Sequence, residues 1–171
     1  MRPQAILSGT KVLVGNNTLK SQLIERGFGE KVENRLELSL IEALFLVDEG
    51  KVDVIEGNRR LSFEELVKKG TAIEPEFYNK YKVYADLRKR GLLVRTGFKF
   101  GSDFRVYERG VSVGEGHSKY LVHVVPEEYS CSLPELARAI RLAGNVNKEM
   151  IYAVVDEEGD VTYYKIGRVK L

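Results

Sequence analysis

The chain has 171 residues, 43% hydrophobic and 30% charged, which supplies both a packed core and a polar surface and excludes a disordered chain. No apolar run approaches the ~18–20 residues of a membrane-spanning helix, and the opening MRPQAILSGTKVLVG lacks the apolar stretch of a secretory signal. A net charge of +2 does not by itself point to nucleic acid, while a single cysteine, Cys131, with two histidines excludes an internal disulfide and a structural zinc site, so a reducing, cytoplasmic setting without membrane contact is expected.

In chain order, Gln4 to Val14 reads as strand with a turn at Ser8-Gly9, and Thr18 to Arg26 as a short helix closed by Gly27. Val32 to Leu38 alternates like a strand. Ser39-Leu40-Ile41-Glu42 is a capping box that opens an apolar helix to Glu49, with Gly50 as its stop. Lys51 to Ile55 reads as a strand followed by a turn at Glu56-Gly57-Asn58. A second capping box, Ser62 to Glu65, opens a helix expected to end before Gly70. Thr71 to Pro75 marks the boundary between a small N-terminal α/β domain, 1–75, and a second domain, 76–171.

After Pro75 the spacing of Phe77, Tyr81, Tyr84 and Leu87 predicts a long amphipathic helix with a basic end, stopped by Gly91. Three strands are expected at Leu92–Thr96, Phe98–Tyr107 and Tyr120–Val125, with a glycine-rich loop, Arg109 to Ser118, between the last two. A third capping box, Ser132 to Glu135, opens a helix to about Leu142. Lys148–Asp156 and Val161–Val169 form a hairpin around the acidic turn Asp156-Glu157-Glu158-Gly159-Asp160. The predicted fold class is mixed α/β (α+β), in two domains without an internal repeat.

Charge is uneven along the chain. Residues 1–75 carry 11 basic and 12 acidic side chains, and residues 76–171 carry 16 and 13. From Arg88 to Arg109 seven bases face two acids: Arg88, Lys89, Arg90, Arg95, Lys99, Arg105 and Arg109 against Asp103 and Glu108. Phe98, Phe100, Phe104 and Tyr107 are interleaved among them. Such a stripe suits a solvated helix end followed by a two-faced strand. It equally suits RNA, through phosphate neutralisation and base stacking.

Only two histidines are available for proton transfer. His123 lies in the strand pattern LVHVV on the face of Leu121 and Val125, the setting of a packed structural residue. His117 lies in GEGHS, an open loop context where a scaffold can place a general acid or base. No P-loop or dinucleotide glycine fingerprint is present.

Three segments then act together: YNKYKVYADLRKRG from Tyr78 to Gly91, TGFKFGSDFRVY from Thr96 to Tyr107, and HSKYLV from His117 to Val122. This ordered set resembles the archaeal tRNA-intron (tRNA-splicing) endonucleases, over roughly Tyr78 to the C-terminus. The first half is similar in length to the family's small N-terminal domain. The resemblance implies a C-terminal catalytic domain with a central mixed sheet, and a catalytic triad of Tyr107, His117 and Lys148. Taken singly, Tyr107 reads as a strand-end aromatic and Lys148 as a solvated lysine; their joint match in type and order is what singles them out.

By the same resemblance, Tyr107 acts as base, His117 as acid and Lys148 as the stabilising cation, with no cofactor. RNA carries its own nucleophile in the 2′-hydroxyl, so the products are a 2′,3′-cyclic phosphate and a 5′-hydroxyl. A phenol needs neighbouring cations to serve as a base near neutrality. The implied substrate is precursor tRNA with a bulge-helix-bulge, whose flipped base would lie between Arg141 and a second residue, Arg168 or Tyr163. Arg141 also fits an ordinary surface position on its helix. The short chain with one triad implies a homotetramer, a dimer of dimers, in which Asp156, Glu157, Glu158 and Asp160 dock on a neighbouring subunit. A non-catalytic RNA-binding or scaffold subunit is the alternative, distinguished by loss of a triad residue; a metal-dependent nuclease would need a carboxylate cluster that the sequence does not offer.

Overall fold

A computed structural model describes residues 1–171, with the side chain of Lys99, one of the stripe's bases, outside the described residues. The chain divides into two compact units, Met1–Tyr81 and Lys82–Leu171.

The first unit is a mixed sheet of six strands in the order β3-β4-β2-β1-β5-β6. The expected hairpin at Ser8-Gly9 is present as β1 (Gln4–Ser8) and β2 (Lys11–Val14), with Leu7 opposite Val12. Helix α1 (Asn17–Glu25) starts on the Asn16 side chain, which accepts the Leu19 N–H at 2.9 Å. It ends as expected at Gly27, whose φ of 79° allows the Phe28 N–H to reach the Leu23 carbonyl at 2.9 Å. The segment expected as one strand is a second hairpin, β3 (Glu30–Val32) and β4 (Arg35–Ser39), turned at Glu33 with φ 56°. Nothing in that segment carries the glycine that usually announces such a turn.

Both N-terminal capping boxes close in both directions. Ser39 and Glu42 open α2 (Leu40–Asp48), and Ser62 and Glu65 open α3 (Phe63–Ile73). Strands β5 (Asp53–Glu56) and β6 (Arg59–Arg60) complete the sheet, β5 running parallel to β1. Helix α3 runs through Gly70 instead of stopping before it. A Cβ at Gly70 would lie 2.4 Å from the Phe77 ring, so the glycine serves close packing and not termination.

Helix α4 (Phe77–Lys89) is the long amphipathic helix expected, and Gly91 follows it with φ 83°. The second unit is a five-stranded sheet, β11-β10-β9-β8-β7. Strands β9 (Tyr120–Pro126) and β10 (Glu149–Val155) are parallel, joined through α5 (Leu133–Asn145); β7 (Val94–Thr96), β8 (Phe104–Val106) and β11 (Val161–Ile166) pair antiparallel. The expected strand from Phe98 to Tyr107 is shorter, because Phe98–Phe100 forms a 3₁₀ turn. That turn closes on Gly101 at φ 74°, where alternating pairing cannot continue.

The two faces of this sheet are covered by different helices. Leu121, Val125, Met150 and Tyr152 form a core with Ala143 of α5, and Phe100, Leu136 and Ala139 pack against it. On the opposite face the Tyr84 ring of α4 lies 5.8 Å from that of Phe104. Tyr163 of β11 donates a 2.6 Å hydrogen bond to Asp86 of α4, and Arg90 donates to the same carboxylate oxygen at 2.9 Å. No helix among the described residues is long and apolar enough to cross a membrane.

Candidate active site

Strand direction decides which residues meet. Because β9 and β10 are parallel, both begin at one end of the sheet, where Tyr120 pairs with Glu149. Because β8 is antiparallel to β9, it finishes at that same end, with Val106 opposite Tyr120. The ladder continues one step further: the Lys119 N–H donates to the Val106 carbonyl, and the Glu149 N–H to the Lys119 carbonyl, each at 2.9 Å. Tyr107, which follows β8, and Lys148, which precedes β10, therefore stand in one row, two strand spacings or about 10 Å apart along the backbone. Period-two alternation sets Tyr107 on the face of Arg105, and Lys148 on the face of Met150, the face covered by α5.

The loop between Tyr107 and Lys119 leaves and returns at this end of the sheet. It carries His117, which is exposed, while Tyr107 is half-buried. Gly116 beside the histidine has φ 68°, and a Cβ there would sit 3.3 Å from Val111, so this corner is built for glycine. Lys148 closes on the loop directly. Its ammonium donates to the Ser118 carbonyl at 2.7 Å, next to His117. The structure thus brings Lys148 to the His117–Ser118 segment and brings Tyr107 to the same sheet end.

The electrostatics around Lys148 are those of a crowded cation. Burial, and then the neighbouring Arg105 charge, hold its ammonium below the usual lysine range. Its Nζ also lies 5.2 Å from the centroid of the Phe100 ring. In the sequence Phe100 stands only among the stripe's aromatics and Ser118 only in the His117 loop; nothing local places either against Lys148. The Ser118 hydroxyl is buried without a hydrogen-bond partner among the described residues.

The basic stripe is only partly available to a ligand. Arg90 is paired with Asp86, Arg109 donates to the Arg90 carbonyl, and Arg105 donates to the Thr96 carbonyl at 3.0 Å. Among the interleaved aromatics Phe104 is buried, Phe100 is half-buried and Phe98 is 89% exposed. His123 is half-buried, its ring edge-on to Tyr152 at 5.5 Å. Both line an open groove of about 540 Å³ with Tyr129, Glu135, Arg138 and Leu142, which contains none of Tyr107, His117 or Lys148.

Arg141 is exposed on α5, and Arg168 is exposed beyond β11. Tyr163 is committed elsewhere: its hydroxyl is bound to Asp86 and the Arg90 guanidinium lies 5.5 Å from its ring centroid. Burial and the Asp86 carboxylate push the Tyr163 phenol well above the ordinary tyrosine range. In the acidic turn the Asp156 carboxylate accepts the N–H groups of Glu158 and Asp160, both at 2.9 Å. Glu157, Glu158 and Asp160 are exposed. No cluster of three or more His, Cys, Asp or Glu among the described residues is arranged to hold a metal ion.

Comparison with known proteins matches both units. Residues 77–163 match the tRNA intron endonuclease catalytic C-terminal domain, and residues 4–67 the tRNA intron endonuclease N-terminal domain. The tRNA-splicing endonuclease of Thermococcus kodakarensis is 48% identical over 165 residues, 96% of each chain. That of Methanococcus vannielii is 45% identical, covering 98% of this chain and 94% of its own. That of Pyrococcus furiosus is 45% identical over 94% of this chain and 92% of its own. With both domains matched in order and nearly the full length shared, this chain belongs to the tRNA intron endonuclease family.

Proposed function

We propose that this chain excises introns from precursor tRNA by a metal-independent cleavage at bulge-helix-bulge sites, with residues 76–171 as the catalytic domain and the cytoplasm as its setting. The observation that carries the reading is the 2.7 Å hydrogen bond from Lys148 to the Ser118 carbonyl, at the sheet end from which Tyr107 emerges. It sets a cation beside the histidine loop, as attack on a phosphodiester requires.

Cleavage proceeds by in-line transfer within the RNA. Tyr107, as phenolate, takes the proton of the 2′-hydroxyl while that oxygen forms a bond to phosphorus. The bond from phosphorus to the 5′-oxygen breaks, and His117, as imidazolium, gives its proton to the departing oxygen. Lys148 offsets the charge that gathers on the non-bridging oxygens. The products are a 2′,3′-cyclic phosphate and a 5′-hydroxyl. Each proton-transfer role is worth roughly 10²–10⁴-fold. Arg141 and Arg168 are the candidate planar cations for a flipped bulge base, since Tyr163 is held by Asp86 and Arg90. Two cleavage sites on one substrate call for two active sites at fixed separation, which a homotetramer built as a dimer of dimers supplies.

The test is incubation of the purified chain with a bulge-helix-bulge RNA in EDTA, followed by end-group analysis. Undiminished cleavage with cyclic phosphate ends is expected. Loss of cleavage on chelation, restored by magnesium, would overturn the mechanism.

A further inference from the structure

A lysine is a point charge on a flexible stem, so one hydrogen bond does not fix its direction. At Lys148 the Ser118 carbonyl supplies one restraint, and the Phe100 ring supplies a second, 5.2 Å from Nζ. The same ring carries another cation: the Arg105 guanidinium carbon lies 5.8 Å from its centroid. Both distances fall within the ~6 Å over which a ring quadrupole attracts a cation. The two like charges repel across a partly desolvated space, and attraction of each to the ring offsets part of that repulsion.

Phe100 is itself held in place. It ends the 3₁₀ turn, its N–H donates to the Gly97 carbonyl at 2.8 Å, and its ring packs against the core of Leu121, Ala143 and Met150. Gly101 follows at φ 74°, close enough to α5 that a Cβ would meet Leu142 at 3.2 Å. The turn therefore directs Phe100 inward under the two cations and leaves Phe98 exposed.

We propose that Phe100 is a positioning residue for cleavage, an aromatic platform that holds the Lys148 ammonium beside the His117–Ser118 loop and spaces it from Arg105. The proposal rests on the reading of Lys148 as the cation of the reaction. The ring touches no reacting atom; its effect passes through Lys148.

Steady-state cleavage of a bulge-helix-bulge RNA tests this with three variants. Phe100→Leu keeps an apolar side chain but removes the quadrupole, and is expected to lower kcat about tenfold with KM changed less than about twofold. Phe100→Tyr keeps the ring face and restores a rate within about twofold of the parent. Replacement of Phe100 by 4-cyanophenylalanine keeps the ring and withdraws its electrons, so it lowers kcat even if the leucine variant does not fold. In a Lys148→Met background, single-turnover rates should show no further loss from Phe100→Leu. A tenfold additive loss there, or full kcat in the leucine or cyano variants while Lys148→Met is impaired, would overturn the platform. A Lys148→Met enzyme that cleaves at the parent rate would instead overturn the reading of Lys148, whatever Phe100 does.

Discussion

The Lys148 ammonium and the Ser118 carbonyl, 2.7 Å apart, join the start of β10 to the loop that carries His117. This bond keeps a charge in a place that disfavours charge, since burial and Arg105 both lower the lysine's proton affinity. A lysine whose folded pKa is depressed binds protons less well folded than unfolded, so its contribution to stability improves as pH rises toward the ordinary lysine value. The difference in stability between the parent and Lys148→Met should therefore shift in favour of the parent as pH rises from neutral toward 10. Urea unfolding of both proteins across that range measures the slope. At neutral pH the same substitution should reduce cleavage by about 10²–10³-fold.

The two histidines should separate cleanly. His117→Ala is expected to reduce cleavage by roughly 10²–10⁴-fold with little change in melting temperature, because the side chain is exposed on its loop. His123→Ala is expected to destabilise by about 1 kcal/mol, through loss of its edge-on contact with Tyr152, and to keep most activity. Rates and melts on the two variants check this together; an inactive but folded His123 variant beside an active His117 variant would reverse the assignment.

Two helical glycines make opposite predictions. Gly70→Ala drives a Cβ into the Phe77 ring and should destabilise by about 1–3 kcal/mol. Gly144→Ala, near the end of α5, meets nothing within 4 Å and should stabilise by about 0.5–1 kcal/mol. Denaturant midpoints for the pair give the signs directly.

The acidic turn offers a test of assembly. Asp156 stitches the turn by accepting two backbone N–H groups, so it should be left intact. Reversing Glu157, Glu158 and Asp160 to Lys should reduce the proposed tetramer to dimers and lower cleavage, with the proposed triad untouched. Light scattering would read this; a charge-reversed tetramer with full activity would sink the docking role.

Local chemistry was legible where both partners lie within a few residues. The Ser39–Glu42 and Ser62–Glu65 boxes are closed as written in the sequence. At Ser132 the hydroxyl accepts the Glu135 N–H at 3.2 Å, but the Glu135 carboxylate accepts the Tyr129 hydroxyl at 3.3 Å. A residue outside the motif competes for the acid, and no local pattern records it. Gly70 misled for the same reason, since its function is an approach to Phe77 and not a helix stop. The order of the triad candidates could be read from motifs, whereas the row shared by Tyr107 and Lys148 depends on strand direction. The Phe100 contact with Lys148 required the 3₁₀ turn, which interrupts a segment that otherwise reads as strand.

The parallel pairing of β9 with β10 also sets when this site comes into being as the chain folds. The hairpins β7–β8 and β10–β11 join near neighbours in sequence, while Leu121 reaches Met150 only across the whole of α5. Pairings of high sequence separation close late, because the intervening chain must first give up its freedom. Until that closure Tyr107 and the His117 loop lack Lys148, so a nascent or partly refolded chain holds the proposed base and acid without the proposed cation.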